Sequence, residues 1–279
     1  MIERIRYSIG GSRRDLEDLL HLVGRTAGIL EGVRCRIYIT LERGSREQRT
    51  TEEFVVARGL DVGRQSDLTA TNGELASAEL LSNVGCCWIE DDEDTLDPVS
   101  VTGGDACSRC GSGIREHADP LRGAMRSLRK YHLVRKPPPW VLGSRRLVAL
   151  IQQHGWSGVE VRPIIERTTQ RESEEFFELW ITSVLPRMHA SAGVERLKPS
   201  EFCETCMRLG YQLPSRQPAY ARSVLEVAKD WNLSTEWLAP HFVPCPKLIC
   251  SRRVVHELLK LEPTQKWIPV KLVDGVTIT

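Results

Sequence analysis

The sequence predicts an α+β chain: an N-terminal βαβ-like unit followed by two related α+β halves. Three observations lead there. Strand-like and helix-like apolar patterns follow one another near the N-terminus. A strand-then-helix segment occurs twice in the remainder. Each occurrence lies downstream of a Cys-x-x-Cys pair, Cys107-Ser-Arg-Cys110 and Cys203-Glu-Thr-Cys206.

The βαβ-like opening rests on local signals. Ile2 to Tyr7 suits a short strand, and Gly10-Gly11 marks a turn. Ser12-Arg-Arg-Asp15 has capping-box spacing, and Leu16, Leu19, Leu20 and Val23 follow at helical intervals. Val33, Cys35, Ile37 and Ile39 alternate as in a half-buried strand. Phe54-Val-Val-Ala57 reads as a further strand, and Glu74 to Leu81 as a short helix.

With 279 residues the chain exceeds one average domain, so two units are expected. The boundary is placed near residue 100, giving an N-terminal α/β unit (1–100) and a duplicated domain (101–279) with halves of about 105–195 and 200–279. Just before that boundary, Glu90-Asp-Asp-Glu-Asp94 is too acidic to pack and reads as an exposed loop. After it the sign reverses: nine Lys or Arg residues between Arg115 and Arg146 face only Glu116 and Asp119. Arg122, Arg126 and Lys130 would share one face of a helix that Pro137-Pro-Pro139 must end.

The repeat itself aligns Trp140 to Ile151 with Lys247 to Leu258. In each copy an apolar strand enters a serine placed as a helix N-cap, then Arg-Arg and an apolar helical pattern. A strand carrying proline follows each helix: Val159-Glu-Val-Arg-Pro163 and Trp267-Ile-Pro-Val-Lys271. Such self-similarity predicts an internal duplication. Between the copies, Phe176 to Val184 reads as a strand with Phe177, Leu179 and Ile181 on one face, and Ser223 to Trp231 and Thr235 to Ala239 as short helices.

The cysteine pairs carry the one recognisable site chemistry. Two residues between thiolates let both sulfurs converge on one ion, and four thiolates complete a tetrahedral zinc site with no open position. Cys107, Cys110, Cys203 and Cys206 would therefore join the halves through one structural zinc. Cys110-Gly111 fits a zinc knuckle, whereas Met207 follows Cys206. Unliganded thiols, a redox dithiol and substitution of His117 as a ligand are the other readings, although Gly111-Ser-Gly113 is a poor helix start for a redox motif. Cys86 and Cys87 beside Trp88, with Cys245 and Cys250, read as core thiols, Cys250 standing where Gly143 stands in the first copy.

Composition excludes several classes. A net charge of +1 argues against a general nucleic-acid binder. Met1 to Arg6 lacks a signal-peptide core, and no stretch reaches the roughly 18–20 apolar residues of a membrane span, so a cytoplasmic chain is expected. No phosphate-binding glycine loop, HExxH or GxSxG motif occurs, and the seven histidines are scattered. No catalytic residue is assigned.

The order of knuckle, strand, Ser-Arg-Arg helix and proline strand, over roughly residues 105 to 275, resembles the double-CxxCG motif proteins of myxobacteria. The matching residues are Cys107-Ser-Arg-Cys110-Gly111, Val141-Leu-Gly-Ser-Arg-Arg146 with Gly155 to Pro163, Cys203-Glu-Thr-Cys206, and Leu248-Ile-Cys-Ser-Arg-Arg253 with Trp267 to Val270. The first hundred residues fall outside this likeness. Some members of that family are immunity proteins of polymorphic toxins. The resemblance implies a non-catalytic cytosolic protein that binds and neutralises a cognate toxin, with zinc in a structural role. Glu90, Asp91, Asp92, Glu93 and Asp94 are the candidate surface for a basic partner. The alternative is a zinc-ribbon protein acting on nucleic acid or in regulation through the basic stretch 122–146, with Arg122, Arg126 and Lys130 as its anion site.

Overall fold

The computed structural model describes residues 1–24, 35–84, 120–125, 128–136, 140–196, 204–205, 211–213, 217–238 and 245–274. The mixed α+β class is what it shows. The chain forms two compact units, Met1–Glu74 and Leu75–Thr279, so the division falls earlier than residue 100. Among the described residues no helix is long and apolar enough to cross a membrane.

The first unit contains β1 (Ile2–Gly11), α1 (Arg13–Leu22), β2 (Cys35–Glu42), α2 (Arg46–Arg58) and β3 (Asp61–Thr69). Its sheet order is β2-β1-β3, and both pairings are antiparallel, which corrects the βαβ-like expectation of parallel strands. Register sets Ile5, Tyr7 and Ile9 opposite Leu41, Ile39 and Ile37. These residues share one core with Leu16, Leu19 and Leu20 of α1 and Val55 of α2. The Ser12 hydroxyl accepts from the Asp15 amide at 3.2 Å, starting α1 as expected.

The strand expected at Phe54–Ala57 is instead the interior of α2. Ser45 caps that helix by accepting from the Gln48 amide at 3.1 Å, and Gly59 ends it in the left-handed region at φ 58°. Helical caps at both ends outweigh the local β propensity of two valines, and Val55 is buried while Val56 points out.

The helix expected over residues 74–81 is also corrected. A short helix α3 (Asn72–Ser77) ends early, and Leu80–Asn83 forms β4, buried at all four positions inside a six-stranded sheet. The second unit adds β5 (Leu121–Gly123), β6 (Leu133–Lys136), β7 (Trp140–Ser144), α4 (Arg145–His154), β8 (Val159–Glu166), β9 (Glu172–Ile181), β10 (Glu195–Arg196), β11 (Tyr211–Gln212), β12 (Ala219–Ala221), α5 (Val224–Val227), β13 (Trp231–Leu238), β14 (Cys245–Ser251), α6 (Arg252–Leu261), β15 (Trp267–Pro269) and β16 (Lys271–Val273). Its sheets run β5-β8-β9-β7-β6 and β10-β11-β13-β14-β4-β15, with β12 and β16 paired separately.

Two parts of these sheets follow the same path. In one, β7 leads through α4 to β8, and β9 lies antiparallel between the two strands. In the other, β14 leads through α6 to β15, and β4 lies antiparallel between them. β6 and β13 flank β7 and β14 as antiparallel neighbours. The registers agree: Gly143, Phe177 and Pro163 form one cross-strand row, and Cys250, Leu81 and Pro269 form its counterpart. The middle strand comes from downstream in the first case and from upstream in the second. Each proline sits where a missing N–H is tolerated, Pro163 at a register shift and Pro269 on an edge strand.

One core joins the two parts. Leu147, Val148 and Ile151 of α4 pack into it with Val254, Val255 and Leu258 of α6, around Trp156 and the fully buried Trp231. Phe177, Leu179 and Ile181 line it as expected, with Phe177 only partly buried. Phe176 turns the other way, into a second cluster with Leu142 and Ile164.

Of two further helix expectations, the first is met in part and the second fails. Ser223–Trp231 holds only the four residues of α5, and Thr235 to Leu238 belongs to β13. β13 is buried along almost its whole length. Its residues alternate between an apolar face of Trp231, Leu233 and Trp237 and a buried polar face of Asn232, Ser234 and Glu236, a period-two pattern that the helix expectation overlooked.

Candidate functional site

Two polar clusters lie where the matched parts meet. The first surrounds Asp230, just before β13. Its carboxylate accepts from the Ser157 amide at 2.9 Å, the Ser157 hydroxyl at 3.0 Å and the Ser251 hydroxyl at 2.8 Å. Arg253 adds a two-pronged contact, with its Nε at 2.6 Å. In return the Asp230 amide donates to Ser157, and the Ser251 and Trp231 amides donate to Asp230 and Ser157 carbonyls. The cluster thereby ties the loop after α4 to the first turn of α6. Ser144 caps α4 by accepting from the Leu147 amide, whereas Ser251, at the matching position, gives its hydroxyl to Asp230.

Burial alone would raise the Asp230 pKa, but Arg253, the Ser157 amide and the hydroxyls of Ser251 and Ser157 together hold it well below the usual carboxylate range. A depressed folded-state value stabilises the fold above the unfolded aspartate pKa of about 4, and that contribution is lost as pH falls through the folded value. Asp230→Asn is expected to cost about 2–4 kcal/mol at neutral pH. Its thermal midpoint should also fall less steeply than that of the parent below about pH 4, as calorimetry over a pH series would show.

The second cluster surrounds a cavity of about 220 Å³ lined by Asn83, Tyr131, Arg135, Glu262, Gln265 and Lys266, among others. Arg135 on β6 is 7% exposed and reaches the other sheet. Its Nη2 donates to the Pro246 carbonyl at 2.7 Å and its Nη1 to Asn83 Oδ1 at 3.4 Å. Among the described residues no carboxylate stands at ion-pairing distance from it. Glu262, just beyond α6, accepts at Oε2 from the His132 amide at 3.0 Å, the Leu133 amide at 3.3 Å and Gln265 Nε2 at 3.0 Å. Gln265 also donates to the Leu133 carbonyl, while its Oε1 is buried without a hydrogen-bond partner.

Beside this cavity His132 Nδ1 and the Ser144 hydroxyl lie 2.8 Å apart, the separation of a nucleophile and its base. Ser144 is committed to capping α4, and among the described residues no carboxylate hydrogen-bonds the other ring nitrogen of His132. The pair reads as a structural bond.

The residues expected from the sequence fall elsewhere. Cys107, Cys110, Cys203 and Cys206 lie outside the described residues, as do Glu90, Asp91, Asp92, Glu93, Asp94 and Arg126. Arg122 is exposed on strand β5, paired with Ile165 of β8, and Lys130 is exposed in a turn with its ammonium over the Tyr131 ring. The helix that was to align Arg122 with Lys130 is therefore not formed, because Leu121–Gly123 is held as a strand by β8. Cys245 and Cys250 are buried thiols, as expected, and burial pushes the Cys250 pKa up. Sequence reasoning missed Ser157, Asp230, Arg135 and Glu262. The second arginine of the repeated Ser-Arg-Arg was the available pointer, since Arg253 is the Asp230 partner.

Comparison with family models, with curated proteins and with solved structures yields no match.

Proposed function

We propose that this chain is a non-catalytic, cytoplasmic binding protein that neutralises a cognate protein toxin. In this reading one zinc ion, held by Cys107, Cys110, Cys203 and Cys206, is a structural staple. The observation that carries the proposal is the matched register of the two strand–helix–strand parts, each downstream of a cysteine pair. It supports an internal duplication and, with it, the likeness to the double-CxxCG proteins. Glu204 and Thr205, the residues between the second pair of cysteines, form an exposed turn, which suits the two-residue bridge of a knuckle. Among the described residues no group of three or more His, Cys, Asp or Glu offers a competing metal site. Zinc saturated by four thiolates supplies cross-linking and no Lewis-acid chemistry, so the chain's own surface carries the binding.

The acidic run 90–94 gives that surface an electrostatic component toward a basic toxin. Co-expression with toxin domains encoded beside the gene tests the reading. Rescue of growth and co-purification are expected, weakened when Glu90 to Asp94 are replaced by their amides. Undiminished toxicity with no co-purification for every such domain would refute it.

A further inference from the structure

The Arg135 cavity points to a second, small-molecule function. Arg135 and Glu262 are both buried, both face the cavity, and no ion pair joins them. Opposite charges withdrawn from water ordinarily close on each other, because each otherwise bears its desolvation cost alone. Here each is instead held by bonds across the seam between the two sheets. Pro246 and Asn83 fix the guanidinium, and the His132 and Leu133 amides with Gln265 fix the carboxylate. The guanidinium retains N–H donors beyond the two in use. The lining retains acceptors as well: Gln265 Oε1 is buried and unpartnered, and Glu262 Oε1 has no hydrogen bond among the described residues.

We infer that the cavity binds a small zwitterion of the α-amino-acid class. Its carboxylate meets Arg135, with Lys266 as a second cation on the wall, and its ammonium meets Glu262 and Gln265 Oε1. A ligand with one charge would leave the opposite buried group without its counter-charge. Size agrees: 220 Å³ lies below the roughly 300 Å³ at which pockets for drug-sized ligands begin, and a free amino acid fits it.

The test uses the full chain. Its thermal midpoint is followed with each common free amino acid at about 10 mM, and responding compounds are then titrated calorimetrically. One or more amino acids should raise the midpoint, while acetate, ethylamine, an equimolar mixture of the two and the N-acetylated acid should not. Glu262→Gln retains an acceptor for the His132 and Leu133 amides but not the charge, and should weaken binding about tenfold in protein shown by circular dichroism to be folded. Equal shifts from acetate and the amino acid would reveal an anion site only and overturn the inference. So would the absence of response to every amino acid. The ligand comparison is made on the unmutated chain, so it decides the matter even where Glu262→Gln does not fold.

Discussion

Replacement of Gly158 by alanine is expected to destabilise the second unit by about 3–5 kcal/mol, the sum of a left-handed backbone penalty and an unrelieved clash. Gly158 sits at φ 82°, a region that side chains disfavour. A Cβ there would lie 2.3 Å from the Trp231 carbonyl oxygen and 2.7 Å from Lys229 Cβ. The carbonyl cannot easily retreat. The Trp231 amide is bonded to the Ser157 carbonyl at 3.1 Å, and the Thr182 amide to the Gly158 carbonyl at 3.0 Å. Gly193→Ala provides the control, because its φ of 66° is also left-handed but nothing lies within 4 Å of the added carbon. That variant should cost only about 1 kcal/mol. Urea unfolding of both variants measures the difference. Equal losses would mean that the close approach of the α4 loop to β13 is not a constraint on the fold.

The contrast between these glycines reflects what the sequence could reveal. Helices with their own start and stop signals were legible: Ser12, Ser144 and Ser251 stand at the N-caps of α1, α4 and α6. The repeat was legible because both copies keep strand, capped helix and proline in order. β4 was not, because its four residues become a strand only by pairing with β14 and β15, far along the chain. β13 was legible but misread as helix: Trp231, Leu233 and Trp237 alternate with Asn232, Ser234 and Glu236, the period of a strand. The polar seam was hidden most completely. Asp230 meets Ser157 across 73 positions, and Glu262 meets His132 across 130. No local spacing rule reports on contacts of that range. The strands also concealed a wrong inference: Arg122 and Lys130 have helical spacing, yet Arg122 lies on a strand.

Cys107→Ser should have an effect of similar or larger size, about 4 kcal/mol or more. Binding of a structural zinc by four thiolates contributes roughly 10–16 kcal/mol of folding free energy in small domains. Closing the loop of about ninety residues between Cys110 and Cys203 opposes this by only a few kcal/mol. A serine hydroxyl cannot replace the thiolate, so most of the net gain disappears. Chelation of the parent protein should lower its denaturant midpoint to near that of the variant, and the variant itself should be indifferent to chelator. A parent protein equally indifferent to chelator would remove zinc from the account of its stability.

The proposed staple is what would tie the two cysteine pairs, and with them the two halves, to each other. Elemental analysis of freshly purified protein, never exposed to chelator, tests it directly. The account predicts about one zinc per chain in the parent and a marked loss of zinc in Cys107→Ser. Parent protein that is folded yet free of metal would contradict it.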